Sequence, residues 1–365
     1  MMQRSPTLEL ALRIETLQSR GQPAYSLSTP TFPERGEMLR MLDSSAFSTI
    51  LSPPEGLPEL REAVRKRLYA RWDLERHKVL LTGGAKAAVF SILRGLCAPG
   101  DACIIVSPHW PSYDSLCVLA GVRPVHLHTR FQDGFALDKE QLDFVARRNS
   151  AARFLILSNP GNPSGRLYGA AELEGALDVC RKYGIHPIFD ESFSETVVDQ
   201  AAWMDNSPSG ADEAFIVNSF SKNFQVQGLR LGTVMIPATH FEAVLSVHQG
   251  INSSASTFSQ VCALEISRNL GPTSWVREII GTARPRMEQS LSAIGWQYHP
   301  SKGSFYIFPR VPDINSVVMR LESMNVFCLR GGLFGSHYQD HIRVCFAHPQ
   351  AEMDGILPLL DSLSS

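Results

Sequence analysis

Between residues 78 and 236 the chain alternates short apolar runs with helical patterns, and polar or glycine-rich residues recur just past the end of a run. Short apolar runs bounded by turn formers read as buried strands, and their alternation with helices reads as a mostly parallel sheet covered on both faces. Runs near 78–81, 102–106, 123–127, 153–158, 186–190, 214–218 and 232–236 predict seven strands. The last, Leu231 to Ile236, follows Val217 too soon for a crossover helix and is expected to run antiparallel. Residues 6–20 predict an amphipathic helix with Leu8, Leu10, Leu12, Ile14 and Leu17 mostly on one face, before a short strand from Tyr25 to Leu27. A helix is expected from Leu57 to about Arg71. Beyond Gly271-Pro272, a long helix, the run Gly303 to Pro309, a helix near 314–324 and the strand Ile342-Arg343-Val344 suggest a smaller α+β domain.

Bulk properties narrow the function. A net charge of −2 without a basic stripe speaks against nucleic acid as a partner. No apolar run approaches a membrane span, and Met1 to Arg20 lacks the apolar middle of a signal peptide. The seven cysteines lie scattered in apolar segments without metal-ligand spacing, which reads as reduced core residues, no metal site and a cytoplasmic setting.

Four motifs follow predicted strands. Leu81-Thr82-Gly83-Gly84-Ala85-Lys86-Ala87 runs from a strand end into a helix. Asn159-Pro160-Gly161-Asn162-Pro163-Ser164-Gly165 follows Phe154 to Leu157, and Phe189-Asp190-Glu191-Ser192-Phe193 closes the run from Ile185. Ser219-Phe220-Ser221-Lys222-Asn223-Phe224 leads to Gly228-Leu229-Arg230-Leu231-Gly232, so one segment supplies an amine, two hydroxyls and a fixed positive charge. Open α/β sheets bind ligands at the carboxyl ends of their strands. An amine meant for Schiff-base chemistry must reach a carbonyl carbon and lose its proton. In this order and spacing the motifs resemble the fold type I pyridoxal-phosphate (PLP) enzymes of the aspartate aminotransferase superfamily, over residues 5 to 360.

The resemblance implies a large PLP-binding domain (41–270), a small C-terminal domain (271–365), and an N-terminal arm with part of the small domain (1–40). Lys222 is implied as the Schiff-base lysine and general base, Arg230 and Ser219 as phosphate ligands with Ser221 the other nearby hydroxyl, and Asp190 as partner of the pyridine nitrogen. Asn162 would donate to the cofactor's phenolic oxygen, and Trp110 would stack on its ring, though a Trp at a strand end also suits plain core. Backbone N–H groups of Gly84, Ala85 and Lys86 would hold phosphate at a helix start, the alternative being an ordinary strand-to-helix turn. Arg343 would grip the substrate carboxylate, with Tyr25, Thr29 and Pro30 near the substrate. A homodimer is implied, with Asn252 to Ser256 near the neighbouring site.

The chain departs from the family pattern in three places. Phe193 stands where a tyrosine usually bonds the phenolic oxygen, and Leu51 where one usually reaches the partner's phosphate. The N-terminal loop reads Ser28-Thr29-Pro30-Thr31 in place of the usual glycine, and Arg330 replaces a proline; Arg330 is a candidate to meet a second substrate carboxylate. The leading expectation is an amino-acid aminotransferase using a 2-oxo acid as second substrate. Phe193 leaves open a PLP-dependent decarboxylase, cyclase, lyase or oxidase, and a cofactor-free binding module is the remaining reading.

Overall fold

In the computed structural model of the chain, residues 6–31, 49–269 and 274–364 are described. Seven strands form one sheet: β2 (His77–Thr82), β3 (Ala102–Ser107), β4 (Arg123–His128), β5 (Ala152–Ser158), β6 (His186–Asp190), β7 (Phe215–Ser219) and β8 (Gly232–Pro237), with a two-residue β1 (Tyr25–Ser26) before them. Their order is β2-β8-β7-β6-β5-β3-β4, and β8 alone runs against its neighbours. Both faces are covered, which is why β3 is buried at all six positions and reads as an unbroken apolar run. One core lies on each face, around Leu81, Leu155 and Phe189 on one side and Leu80, Ile105 and Phe215 on the other.

A separate apolar cluster gathers Val276, Met287, Phe305, Val344 and Met353 with Leu27 and Phe193. Around it lie β9 (Tyr306–Ile307), β10 (Val326–Phe327), β11 (Leu329–Arg330) and β12 (Ile342–Cys345), joined as β11-β12-β9 and as the parallel pair β1-β10. Residues 25–27 thus belong to the C-terminal region rather than to the main sheet. The expected boundaries at 40/41 and 270/271, with Phe32, Pro33 and Gly271-Pro272, lie outside the described residues.

Two local expectations need correction. In the helix Pro6–Ser19 only Leu10, Ile14 and Leu17 pack inward, against Ala24 and Phe327, while Leu8 and Leu12 are 65% and 60% exposed. At about 100° per residue Leu10, Ile14 and Leu17 share a face that Leu8 and Leu12 cannot join. The helix expected to reach Arg71 spans Pro58–Leu68, with a proline at its first turn, and Arg71 lies beyond it in buried loop.

Candidate active site

Strands β2, β3, β5, β6 and β7 end on the edge where β8 begins, so that Thr82 and Ser219 both lie opposite Gly232 and Ser158 lies opposite Asp190. A cavity of about 530 Å³ opens there. Its sheet side carries Ala85, Lys86, Trp110, Tyr113, Asn162, Asp190, Phe193, Ser219, Ser221, Lys222 and Arg230, and Thr29, Tyr306 and Arg343 close the other side. Thr7 and Leu8 of the first helix reach its mouth.

Lys222 is the third residue of the single-turn helix Phe220–Asn223, which is capped by Ser219 accepting from Ser221 N–H at 3.2 Å. Its amine makes no hydrogen bond or ion pair among the described residues. Burial pulls its pKa down to about 8, and the positive Arg343 and Arg230 act in the same direction.

Arg230 sits in the left-handed region at φ +50°, donating to Gln227 O at 3.0 Å and Ser221 Oγ at 3.4 Å. That bend brings its guanidinium against Gly84, where a Cβ would lie 3.0 Å from Nη2. Gly84 has φ +99°, a conformation that disfavours side chains. A Cβ on Gly232 would lie 2.5 Å from Ala85 N. The two glycines let β8, the helix Ala85–Leu96 and Arg230 converge. The N–H groups of Ala85 and Lys86, at that helix's first turn, meet no protein acceptor among the described residues. With Ser219 and Arg230 they make an anion site. Lys86 instead lies over the Trp110 ring, Nζ 5.1 Å from its centroid, its pKa lowered by burial and by Arg230.

Asp190 is buried and accepts only from neutral donors, Ser192 N–H at 3.0 Å and the Tyr113 hydroxyl at 2.6 Å. Burial raises its pKa against the pull of those bonds, a balance that a nearby cation would tip toward the carboxylate. Tyr113 is raised well above the ordinary phenol range by burial and by Asp190, so the shared proton stays on Tyr113.

Arg343 on β12 is 3% exposed. It donates to Asn162 Oδ1 at 3.0 Å and Ser28 O at 2.6 Å, and lies over the rings of Tyr306 and Phe334 at 4.2 and 5.0 Å. Its Nε has no hydrogen-bond partner, and no carboxylate among the described residues pairs with it. A buried guanidinium held by neutral acceptors is suited to a visiting carboxylate. Since Asn162 Oδ1 accepts from Arg343, its amide hydrogens remain to donate.

Three expectations fail on geometry. Tyr25 is directed into the C-terminal region, where a Cβ on Gly355 would lie 2.5 Å from its hydroxyl, and it takes no part in the cavity wall. Pro30 is half-buried outside the wall, whereas Thr29 lines it. Arg330 is exposed and donates to Asn315 Oδ1 at 2.8 Å, away from the cavity. Period-2 alternation tells which face a strand residue takes, not what a long side chain finds there.

Eight wall residues escaped the sequence reading, Ser112, Ser158, Ser192 and Gln227 among them. Tyr113 stands three positions after Trp110, its N–H donating to Trp110 O at 3.0 Å in the turn that opens the helix Ser112–Ala120, so the spacing was a usable signal. Tyr306, in a two-residue strand, and Thr7 and Leu8, on an otherwise exposed helix face, carry none.

Comparisons with known proteins identify the family and the fold. A probable aspartate/prephenate aminotransferase from Aquifex aeolicus is 28% identical over 358 residues, covering 91% of this chain and 89% of its own. An aspartate aminotransferase from Thermotoga maritima is 27% identical over 341 residues, covering 90% and 89%. The fold matches the Thermus thermophilus aspartate aminotransferase with maleate at a TM-score of 0.87, covering 99% of this chain and 97% of that one at 24% identity. The family model for class I and II aminotransferases spans residues 19–358. The chain belongs to that family and is a PLP-dependent aminotransferase, acting on amino-acid and 2-oxo-acid substrates.

Proposed function

We propose that the cleft holds PLP with its phosphate at Ala85, Lys86, Ser219 and Arg230, its ring nitrogen at Asp190 and its aldehyde toward Lys222. The fit rests on what these groups lack. Asp190 is buried with neutral donors only, the helix start at Ala85 has open N–H groups, and Lys222 has an unpaired amine. Asn162 and Trp110 would meet the ring oxygen and the ring face; Ser221 would hold Arg230 in place. When bound, the cofactor supplies an electrophilic carbon for amines and an electron-withdrawing ring.

The remaining chemistry belongs to the chain. Arg343 orients an α-amino acid through its carboxylate, with Asn162 and Thr29 beside it. Lys222, its pKa near 8, is half neutral close to working pH and can take the substrate Cα proton and return it elsewhere. Asp190 keeps a negative charge where a positive ring nitrogen is needed, and Tyr113 fixes its orientation. The net reaction passes an amino group from an amino acid to a 2-oxo acid.

Aspartate is the first substrate to try, because relatives bear that name. The carrying observation is the buried Arg343 without a carboxylate partner. The test is titration of the purified holoenzyme with amino acids while absorbance and 2-oxo acid are followed. One equivalent of 2-oxo acid per cofactor supports the reading, whereas carbon dioxide release or turnover without cofactor amination counts against it.

We also propose a homodimer in the cytoplasm, and a division into large and small domains at 40/41 and 270/271. Exposed Ile50, Leu51, Ile251 and Phe258 flank one segment, where Ser52 N–H bonds Thr257 Oγ1, and Asn252 stands by Gly83. That apolar surface beside the phosphate turn supports a partner there. No helix among the described residues is long and apolar enough to cross a membrane.

A further inference from the structure

We infer that His186, Glu213 and His240 form a site for a divalent transition-metal ion of the zinc or cobalt class, at the end of the sheet opposite the cleft. His186 opens β6, Glu213 stands two positions before Phe215 at the start of β7, and His240 precedes the helix Phe241–Asn252. His186 Nδ1 and His240 Nε2 each lie 3.5 Å from the same oxygen, Oε2 of Glu213. That is long for a hydrogen bond. It is the separation expected of neighbouring ligands around a tetrahedral ion, whose bonds of about 2.0–2.2 Å set donor atoms roughly 3.3–3.5 Å apart. One ligand atom from each residue lies within 4.8 Å of the others.

The site is also built around its imidazoles. His186 Nδ1 is buried without a hydrogen-bond partner. Phe215 packs on both histidines, at 6.2 and 5.8 Å between ring centroids, and Phe154 packs on His186 at 5.6 Å. The two imidazoles meet edge to face at 4.7 Å. Glu213 is 56% exposed, so water can complete the coordination. Two imidazoles and one carboxylate suit zinc or cobalt more than magnesium or calcium.

A second cluster, His109, Asp114 and His126, is less suited. There the two rings reach separate oxygens of Asp114 at 2.9 and 2.7 Å, ordinary hydrogen bonds that leave the carboxylate satisfied. Three remote segments supply His186, Glu213 and His240, which is why no metal-ligand spacing shows along the sequence. Asp190 is four residues along β6 from His186, roughly 13 Å at strand rise, so this site is separate from the chemistry.

The test is cobalt(II) titration of holoenzyme freed of metal by chelation, followed by visible absorbance and competition with zinc. The expected result is one ion per chain with the intense bands of four-coordinate cobalt. Glu213→Gln and His240→Ala should each weaken uptake at least about tenfold, with aminotransferase activity unchanged. Glu213→Gln alters an exposed side chain and guards against loss of fold. No uptake, uptake indifferent to both substitutions, or uptake lost only with His126→Gln would overturn the assignment.

Discussion

Two buried arginines, Arg71 and Arg343, stand in opposite electrostatic situations. Arg71 meets Glu191 through Nε and Nη2 at 2.9 and 2.7 Å, donates to Asn206 O at 2.9 Å, and lies over Trp203 at 3.8 Å. Its charge is cancelled permanently. Arg343 is equally enclosed but has only an amide and a carbonyl oxygen as acceptors. The adjacent acids Asp190 and Glu191 divide likewise: Glu191 takes the guanidinium, and Asp190 keeps neutral donors. A fold that leaves one buried charge of each sign incompletely matched, on facing walls of one cavity, is prepared for partners that come and go. The matched pair beside it shows how the same residues look when their task is structural.

The comparison breaks first on stability. Arg71→Gln strands the buried Glu191 charge and should cost about 3–5 kcal/mol, as breaking such pairs does. The double change Arg71→Met with Glu191→Leu should recover most of it, since apolar replacement of a buried pair is often neutral. Denaturant melts of the three proteins decide this. An Arg71→Gln protein as stable as the parent would end the distinction.

Arg343→Gln should do the reverse. It removes an unmatched charge, so stability should hold, while kcat/KM for an α-amino acid falls about 10²- to 10³-fold, the loss expected for truncating a buried charge-paired contact. Steady-state rates and a melt on the same preparation check both halves.

A smaller effect links Arg343 to Lys222. The folded pKa of Lys222 is about 8 against an ordinary 10.5. Between those values the unfolded chain binds more protons, so apoenzyme stability should rise with pH from about 8 to 10.5; below 8 the penalty for burying the amine is fully present. Arg343 lowers this pKa, so Arg343→Gln should raise it and narrow the window. Stability against pH, each protein compared with its Lys222→Met version, measures the shift; an unchanged window would show that the two charges do not sense each other.

The sequence disclosed some of this and concealed the rest for physical reasons. Strands buried on both faces are continuous apolar runs, so β3, β5, β6 and β7 were visible within a residue or two. Lys222, Asp190, Asn162 and Arg230 follow strand ends, and chain direction brings such residues to one edge. What depended on long-range side-chain direction was hidden. Tyr113 and Asp190 are 77 positions apart, and Arg343 meets Asn162 across 181. The placement of Tyr25 under Gly355 follows from the β1-β10 pairing, which joins residues some 300 positions apart in the register Tyr25–Val326.

The smallest effect concerns Phe193, three positions from Asp190, where relatives were expected to carry a phenol. The Phe193 ring packs edge-on against Phe305 and Tyr306, at 5.1 and 5.9 Å between centroids. A donor beside the cofactor's ring oxygen draws charge from that oxygen, so the bound cofactor releases its titratable proton at lower pH. Phe193→Tyr should therefore move the midpoint of the cofactor's pH-dependent absorbance down by about 0.4–1 unit, the equivalent of one ordinary hydrogen bond. Tyr306 tests whether the loss is already offset. Its hydroxyl makes no hydrogen bond among the described residues, and burial raises its pKa to about 12, so it remains a donor at any working pH. If Tyr306 supplies that contact, Tyr306→Phe moves the midpoint up and Phe193→Tyr moves it little. If the oxygen lacks a phenol altogether, Phe193→Tyr carries the whole shift and Tyr306→Phe none. Two absorbance titrations separate these cases, and a midpoint indifferent to both changes would remove phenol donation from this cleft.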